Sequence, residues 1–313
     1  MKISPQIVHN LELFSRPGHL VGPSRYAFQR KLCQILPRIV RDSDYILDFG
    51  GGNGNNRFFF RGFKLVGFDL DKSRIGQIGD ENDYFVTDAV SVGLRDECVD
   101  FIFCNWVLEY ISDPAAALKE MFRVLRPGGR VYLGVPTKLC RIVNEGAALP
   151  WRLIGGPKNI MLPDGGEEIF FSSSEFEKMI LATDFKSVEI HQTAGVCMGL
   201  LKLFMYYAYY VRVFMAKILI EFPHKIFGYL GAKKRDKDAI IGLSRKFKGR
   251  VFPRIDVSKM SRESEFQSYL LELRNSNPDF LSKAYVMLMS LLAAIDERVP
   301  SVAFEIAVIA TKE

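Results

Sequence analysis

The sequence lacks the features that mark disulfide-rich and zinc-binding proteins. Its 313 residues include only five cysteines, an odd number, and no two of them form a CxxC pair. These are Cys33, Cys98, Cys104, Cys140 and Cys197. Scattered cysteines argue against a disulfide framework and against a zinc site. We therefore expect no metal and a reducing, cytoplasmic compartment.

Other absences narrow the class of protein further. The first residues lack the basic segment and the apolar run of a signal peptide, so we expect no secretory leader. The chain has no low-complexity tract and no internal repeat, and its 48% hydrophobic and 25% charged residues are a globular composition. A chain of this length can bury a substantial core, in one large domain or in two.

Short apolar segments alternate with helical patterns in the first half of the chain. Buried strands are predicted at residues 45–49, 64–68, 84–86, 99–104 and 130–135. Before the last of these, a helix is predicted with Asp113 as its N-cap, Pro114 in its first turn and Pro127-Gly128-Gly129 at its end. This alternation predicts a parallel sheet with helices on both faces.

The second half continues the pattern after a long interruption. A further helix is predicted with Ser174 and Glu177 as a capping box, and a sixth strand follows through Val188 and Ile190. Residues between that strand and the closing strand look helical and are too many for a loop, so they predict a subdomain. The predicted units are an N-terminal helical segment (1–44), a core (45–191), a basic and aromatic helical insert (192–300) and a final strand (301–313).

The stretch YILDFGGGNGNN, residues 45–56, places glycines directly after a buried strand. In an open parallel sheet, ligands bind at the carboxyl ends of strands, and glycine lets backbone N–H groups approach them closely. A dinucleotide fingerprint, G-x-G-x-x-G, would need glycine where Asn55 stands. The register Asp48-x-Gly50-x-Gly52-x-Gly54 fits the pattern acid-x-G-x-G-x-G throughout.

This second register resembles motif I of the class I S-adenosylmethionine-dependent methyltransferases. LVGFDLD (65–71) looks like the second motif of that family, and VTDA (86–89) looks like the third. Residues 99–136 resemble the block from the fourth to the fifth strand, especially in the branch with quinone and small-molecule methylases. The resemblance implies an α/β fold: a Rossmann-like seven-stranded methyltransferase sheet with an α-helical insert before the last strand. Asp48 and Asp69 are closer in sequence than is usual in the family, so we expect a shortened helix after the glycines.

The resemblance also implies the cofactor, S-adenosylmethionine, and the residues that hold it. Asp69 would accept the two ribose hydroxyls, Asp88 would contact the adenine amino group, and Asn105 and Trp106 would line the pocket. The complete implied set is Asp48, Gly50, Gly51, Gly52, Gly54, Asp69, Leu70, Asp88, Ala89, Asn105 and Trp106.

A general base is harder to predict, because methyl transfer needs one only for some acceptors. Glu109 and Tyr110 follow the fourth strand, His191 ends the sixth, and His19 lies in the N-terminal segment. These four residues are the candidates, and the sequence does not choose among them. The N-terminal segment itself is interpreted either as a lid over the cofactor or as structural packing.

The insert supplies the positive charge of the protein. Residues 191–254 contain 13 Lys and Arg against three acids, a net +10, whereas the whole chain carries +6. Within it, residues 195–222 are apolar and aromatic but include Lys202, Arg212 and Lys217. This pattern predicts peripheral contact of residues 195–254 with an anionic membrane at its inner face. An internal cap or acceptor pocket and a dimer seam stay open as alternatives.

The predicted activity is methyl transfer from S-adenosylmethionine to a small-molecule acceptor, at an oxygen of a hydrophobic or lipid-linked compound. One alternative is a sugar or polysaccharide precursor as the acceptor. Another is a regulatory or interaction protein that binds the cofactor without turnover. A dehydrogenase is disfavoured by Asn55, and nucleic acid is not expected as a partner because the insert is too apolar for a face that follows phosphates.

Overall fold

The computed structural model describes residues 4–15, 23–75, 83–152, 169–201, 203–204, 280–299 and 303–313. A seven-stranded sheet lies at its centre. The strands are β1 (Tyr45–Phe49), β2 (Lys64–Asp69), β3 (Asp83–Val86), β4 (Val99–Asn105), β5 (Leu125–Pro136), β6 (Lys186–Gly195) and β7 (Ala303–Thr311). Their spatial order is β3-β2-β1-β4-β5-β7-β6, so the order reverses between β1 and β4. The predicted seven-stranded α/β sheet is confirmed.

The parallel arrangement predicted for the first five strands is confirmed, and the last strand runs against it. β1 to β5 are parallel neighbours, but β7 is antiparallel to both β5 and β6. The reason lies in the preceding helix, Phe280–Asp296, whose last residue accepts hydrogen bonds from the N–H groups of Cys197 and Met198, just beyond the end of β6. The chain thus re-enters the sheet at the edge where β6 left it, and β7 must run in the opposite direction.

Helices cover both faces of the sheet. They are α1 (Pro5–Ser15), α2 (Pro23–Ile39), α3 (Lys72–Ile75), α4 (Pro114–Val124), α5 (Lys138–Arg152), α6 (Ser173–Leu181) and α7 (Phe280–Asp296). Side chains of α1 and α2 pack on one face with Phe59, Phe60, Phe103 and Tyr132. Side chains of α4 and α6 pack on the other face with Leu47, Ile102, Val131 and Val308. A side chain in the middle of β1 or β4 therefore enters the core whichever way it points, which explains the consecutive buried apolar residues Ile46–Leu47 and Phe101–Cys104.

The helix after the glycines is shortened, as predicted from the close spacing of Asp48 and Asp69. A single 3₁₀ turn, Asn55–Phe58, replaces it. The aromatic residues that follow have a structural reason, because Phe59 and Phe60 are 1% exposed and pack against Phe103. These rings fill space beneath α1 and α2.

The N-caps of α4 and α6 can be compared with those predicted from the local sequence. Asp113 caps α4 by accepting the N–H of Ala116, and Pro114 begins the helix, both as predicted. The capping box of α6 was placed two residues too late, because Ser172 and Glu175 form it. The sequence offers both pairs, and the earlier start lets Phe176 and Ile180, four residues apart, face the core.

Much of the predicted insert lies outside the described residues. Residues 196–201 and 203–204 are helical after β6, and α7 precedes β7. The aromatic stretch from 205 and the basic runs up to Arg254 are not among the described residues. In the described part of the chain, no helix is both long and apolar enough to cross a bilayer. β6 continues beyond residue 191, the predicted end of the core, to Gly195. The other predicted domain boundaries and the membrane contact stay predictions.

Candidate functional site

The glycine loop lies at the carboxyl end of β1, where the strand order reverses between β1 and β4. Gly50, Gly52 and Gly54 all have positive φ angles, +68°, +58° and +71°. A side chain at any of these positions would strain the backbone, and a Cβ at Gly50 would also overlap Val107. The alternate glycines therefore hold the loop in a tight turn that exposes backbone at the crevice where α/β sheets bind ligands.

Asp69 ends β2 beside this loop. Its Oδ2 accepts the N–H of Gly52 at 2.9 Å, and its Oδ1 accepts the N–H of Asp71 at 2.9 Å. The loop after β1 and the end of β2 are thus joined by one carboxylate. A carboxylate has about four lone-pair positions, so Asp69 keeps acceptor capacity for a pair of ligand hydroxyls. Leu70, the next residue, is 70% exposed and offers an apolar surface at the same edge.

Asp48 lies beneath the glycine loop and is 0% exposed. The Tyr84 hydroxyl donates to its Oδ2 at 2.6 Å, and the Asn56 amide donates to its Oδ1 at 3.0 Å. Burial raises the pKa of Asp48 to about 6, because a charged carboxylate loses its hydration there. Both oxygens are engaged by protein donors from β3 and from the 3₁₀ turn. In this arrangement Asp48 supports the loop from within.

The other predicted cofactor residues surround the loop. Asp88 follows β3, is exposed, and accepts the N–H of Val90 at 3.1 Å, while Ala89 packs on the core. Asn105 ends β4, and Trp106 follows it with a positive φ of 59° and donates its N–H to the Gly134 carbonyl. A Cβ at Gly134 would overlap the Asn105 amide, so glycine there makes room for that side chain.

The candidate bases are separated by the fold. Glu109 and Tyr110 lie in the 3₁₀ turn Leu108–Tyr110 directly after β4, Glu109 fully buried and Tyr110 exposed. His191 lies on β6, three strands from β4, which corresponds to about 14 Å at the usual strand spacing. Burial lowers its pKa, and Glu189 is its ion-pair partner. His19 is outside the described residues.

Sequence reasoning missed Tyr84 and Asn56. Tyr84 belongs to a strand with a weak pattern, and its sequence position gives no sign that its hydroxyl reaches Asp48, 36 residues away. Asn56 could have been noted as a polar residue immediately after the glycines. Of the predicted residues, those at the ends of β1, β2, β3 and β4 share one edge of the sheet. His191 is the predicted residue that the structure places elsewhere.

These features define an α/β domain with a glycine-lined cofactor crevice at the reversal of its strand order. Residues 47–133 match the family described as "Methyltransferase domain". This match agrees with the resemblance to class I S-adenosylmethionine-dependent methyltransferases that the motifs indicated. The matched region contains the glycine loop, Asp69, Asp88 and the end of β4.

Individual relatives agree with this assignment over part of their length. The chain is 37% identical over 122 residues to malonyl-[acyl-carrier protein] O-methyltransferase of Yersinia pestis, covering 37% of this chain and 44% of that one. It is 31% identical over 107 residues to the ubiquinone/menaquinone biosynthesis C-methyltransferase UbiE of Xylella fastidiosa (strain M23), covering 29% and 42%. The chain thus spans less than half of each of these curated relatives.

The solved structures to which the chain is similar are more distant in sequence. One is a SAM-dependent methyltransferase from Archaeoglobus fulgidus, 10% identical, with a TM-score of 0.45 over 90% of this chain and 92% of that one.

The residues present fit the cofactor of this family. A cradle that Cβ atoms would strain or fill lies beside the carboxylate of Asp69, and Asp88 is an accessible acceptor at the same edge. Such a set suits a ligand with a diol and an amino group. In the described ranges, no group of three His, Cys, Asp or Glu is placed to hold a metal ion.

Proposed function

We propose that this protein is an S-adenosylmethionine-dependent methyltransferase that acts on a small-molecule acceptor. The observation that carries the proposal is the junction of the glycine loop with Asp69, within the region that matches the methyltransferase domain. The cofactor, when bound, supplies an activated methyl group for in-line displacement. The work of the chain is then to hold the donor, align the acceptor and exclude water.

The roles of the binding residues follow from their positions. Asp69 accepts the ribose hydroxyls, and the backbone of Gly50 to Gly54 provides N–H groups and close approach. Asp88 accepts the adenine amino group, since its carboxylate is exposed at the end of β3. Asn105 and Trp106 line the side of the crevice towards β5. These assignments are supported by the shared edge on which the structure places the residues.

Glu109 is the best placed of the candidate bases. It follows β4 by four residues and lies next to the switch point, whereas His191 is about three strand spacings away. A buried carboxyl group at this position is suited to accept a proton from an acceptor hydroxyl. Tyr110, exposed beside it, would contact the acceptor from the solvent side.

A hydrophobic or lipid-linked acceptor, methylated at oxygen, is supported by apolar surface near the start of the insert. Leu200 and Phe204 are exposed after β6, and Met287 and Leu291 are exposed on α7. The relatives named above act on an acyl-carrier-linked malonyl group and in quinone biosynthesis, according to their names. Peripheral contact of residues 195–254 with an anionic membrane belongs to the same proposal and would bring the enzyme to such acceptors.

Cofactor binding is the first property to test. Isothermal titration with S-adenosylhomocysteine should give micromolar binding to the wild type. Asp69→Ala should weaken it roughly 10- to 100-fold, because hydrogen bonds to a charged group contribute about 1.5–3 kcal/mol. Asp96→Ala is the charge-matched control, since Asp96 is exposed and pairs with Arg123 on α4. If the folded wild type does not bind, the methyltransferase proposal is wrong.

Turnover separates the enzyme from a binding protein that lacks activity. Label transfer from methyl-tritiated cofactor should be screened with lipid extracts and, in parallel, with nucleotide sugars. Glu109→Gln should abolish transfer while S-adenosylhomocysteine affinity stays within about twofold. Binding without transfer to either acceptor class would favour a regulatory role. Transfer to nucleotide sugars alone would favour the sugar-precursor alternative.

A further inference from the structure

We propose that Tyr84 is a positioning residue for the cofactor loop, which its ring supports from below while its hydroxyl orients the Asp48 carboxylate. The proposal rests on the proposed function, because the loop it positions is the cofactor loop. Tyr84 is not part of any motif described above. It lies on β3, two strands from β1, and reaches the loop only through its side chain.

The ring of Tyr84 occupies the space that two glycines leave open. Tyr84 is the strand neighbour of Gly67 on β2, and a Cβ at Gly67 would overlap the ring. A Cβ built at Gly51 would lie 2.8 Å from the same ring edge, far inside normal contact distance. The tyrosine therefore passes over β2 and ends directly beneath the loop, where only glycine permits it.

The hydroxyl of Tyr84 joins the loop to β3 through Asp48. It donates to Oδ2 of Asp48 at 2.6 Å, and the same oxygen lies against Gly51. Gly51 in turn donates its N–H to the carbonyl of Phe68 on β2 at 2.8 Å. The buried carboxylate on β1 is thus bonded to β3 and to the 3₁₀ turn, while the loop is bonded to β2 through the Gly51 N–H. A hydrogen bond to a charged acceptor in such a dry site is strong and directional, so it limits how the loop can shift.

The charges around Asp48 determine how this support responds to pH. Burial is the main cause that raises the pKa of Asp48, the donors Tyr84 and Asn56 lower it, and Asp69 at the end of β2 raises it further. Arg57, on the 3₁₀ turn, faces Tyr84, and Cys104 on β4 lies close enough to interact with Asp48. When Asp48 is ionised, it accepts from both Tyr84 and Asn56. When it is protonated, one of its oxygens becomes a donor, and the support from one side is lost.

A tyrosine that only filled space would behave differently from a positioning residue. Phenylalanine would keep the ring over Gly67 and remove only the hydrogen bond. If the bond positions the loop, its loss should raise the pKa of Asp48 further and weaken cofactor binding most where Asp48 becomes protonated. If packing alone matters, Tyr84→Phe should bind like the wild type at every pH.

The experiment is titration of S-adenosylhomocysteine into wild type and Tyr84→Phe between about pH 5.5 and 8.5. We expect binding roughly five- to tenfold weaker at neutral pH, within the range of couplings between neighbouring sites. We also expect the fall in affinity at low pH to move upward by on the order of one pH unit. The control is Tyr45→Phe, which removes a phenol at the amino end of β1, away from the loop. Circular dichroism at each pH confirms that the variants are folded.

A double-mutant cycle tests whether the effect of Tyr84 acts through the Asp48 carboxylate. In an Asp48→Asn background, which lacks the carboxylate bonded to Tyr84, removing the Tyr84 hydroxyl should no longer shift the pH profile. A shift that persists there would overturn the proposal, as would unchanged affinity and an unchanged profile in Tyr84→Phe alone. If the wild type fails to bind at all, the proposed function fails with it, and that result is distinct from a variant that matches a binding wild type. Should Tyr84→Phe unfold at the assay temperature, comparison of Asp48→Asn with wild type still tests whether Asp48 produces the pH dependence.

Discussion

Replacing Asp48 with asparagine should make the folded protein more stable at neutral and alkaline pH. The pKa of Asp48 is raised from 3.8 in the unfolded chain to about 6 in the folded protein, mainly because the carboxylate is buried. A group whose folded pKa is raised binds its proton more tightly in the folded state. Its contribution favours folding at low pH, and that contribution is lost as the pH rises through about 6.

The size of the effect follows from the pKa difference. A shift of about two units corresponds to roughly 3 kcal/mol against folding once both states are ionised, at 1.36 kcal/mol per unit. Asparagine has nearly the same shape and no charge, so it removes this cost. Its NH₂ group also faces a donor, either the Tyr84 hydroxyl or the Asn56 amide. The lost hydrogen bond lowers the free energy of unfolding by about 1 kcal/mol, and this loss does not depend on pH.

The difference between the two proteins is the informative quantity, because all other titrating groups cancel. Urea unfolding followed by circular dichroism should be measured for both at about pH 4.5 and about pH 8. The free energy of unfolding of Asp48→Asn, relative to that of wild type, should rise by about 2 kcal/mol from the lower pH to the higher one. Parallel stability curves would refute the reasoning, because they would mean that Asp48 titrates alike in both states. A confirmed gain would indicate that the acid is kept in the native protein at a cost to stability, as is typical of functional sites.

Three other substitutions test the packing and local structure by the same urea assay. Gly67→Ala should destabilise the protein by about 1–3 kcal/mol, because its Cβ would overlap the Tyr84 ring; an unchanged midpoint would contradict the tight contact. Gly146→Ala should instead stabilise it by up to about 1 kcal/mol, because Gly146 lies in α5 and, among the described residues, no other part of the fold comes within 4 Å of a Cβ there; a loss of stability would contradict this. Asp113→Ala should cost about 1 kcal/mol as the N-cap of α4 is lost, whereas Asp113→Ser should restore most of it.

The first half of the fold could be predicted from short-range patterns. β1 lies where it was predicted, at Tyr45–Phe49, because a short and mainly apolar segment is typical of a parallel strand that is covered on both faces. The N-cap of α4 followed from one aspartate and one proline for the same kind of local reason. The glycine loop and Asp69 were predicted from motif resemblance, and their contact is seen in the structure.

Local patterns failed where two segments compete or where distant segments meet. Two serine–glutamate pairs could cap α6, and burial of Phe176 and Ile180 decided between them. The direction of β7 depends on where α7 ends, beside Cys197, and no short window of sequence contains that information.

The sequence by itself thus determined the kind of domain, the positions of its first strands along the chain and the glycine loop at the end of β1. These depend on neighbouring residues, through strand burial, capping and glycine backbone freedom. Only the tertiary structure decided that Tyr84 reaches Asp48 beneath the loop and that His191 lies three strands away from β4. Both facts depend on the order in which strands stand side by side, which is set by packing across the whole sheet.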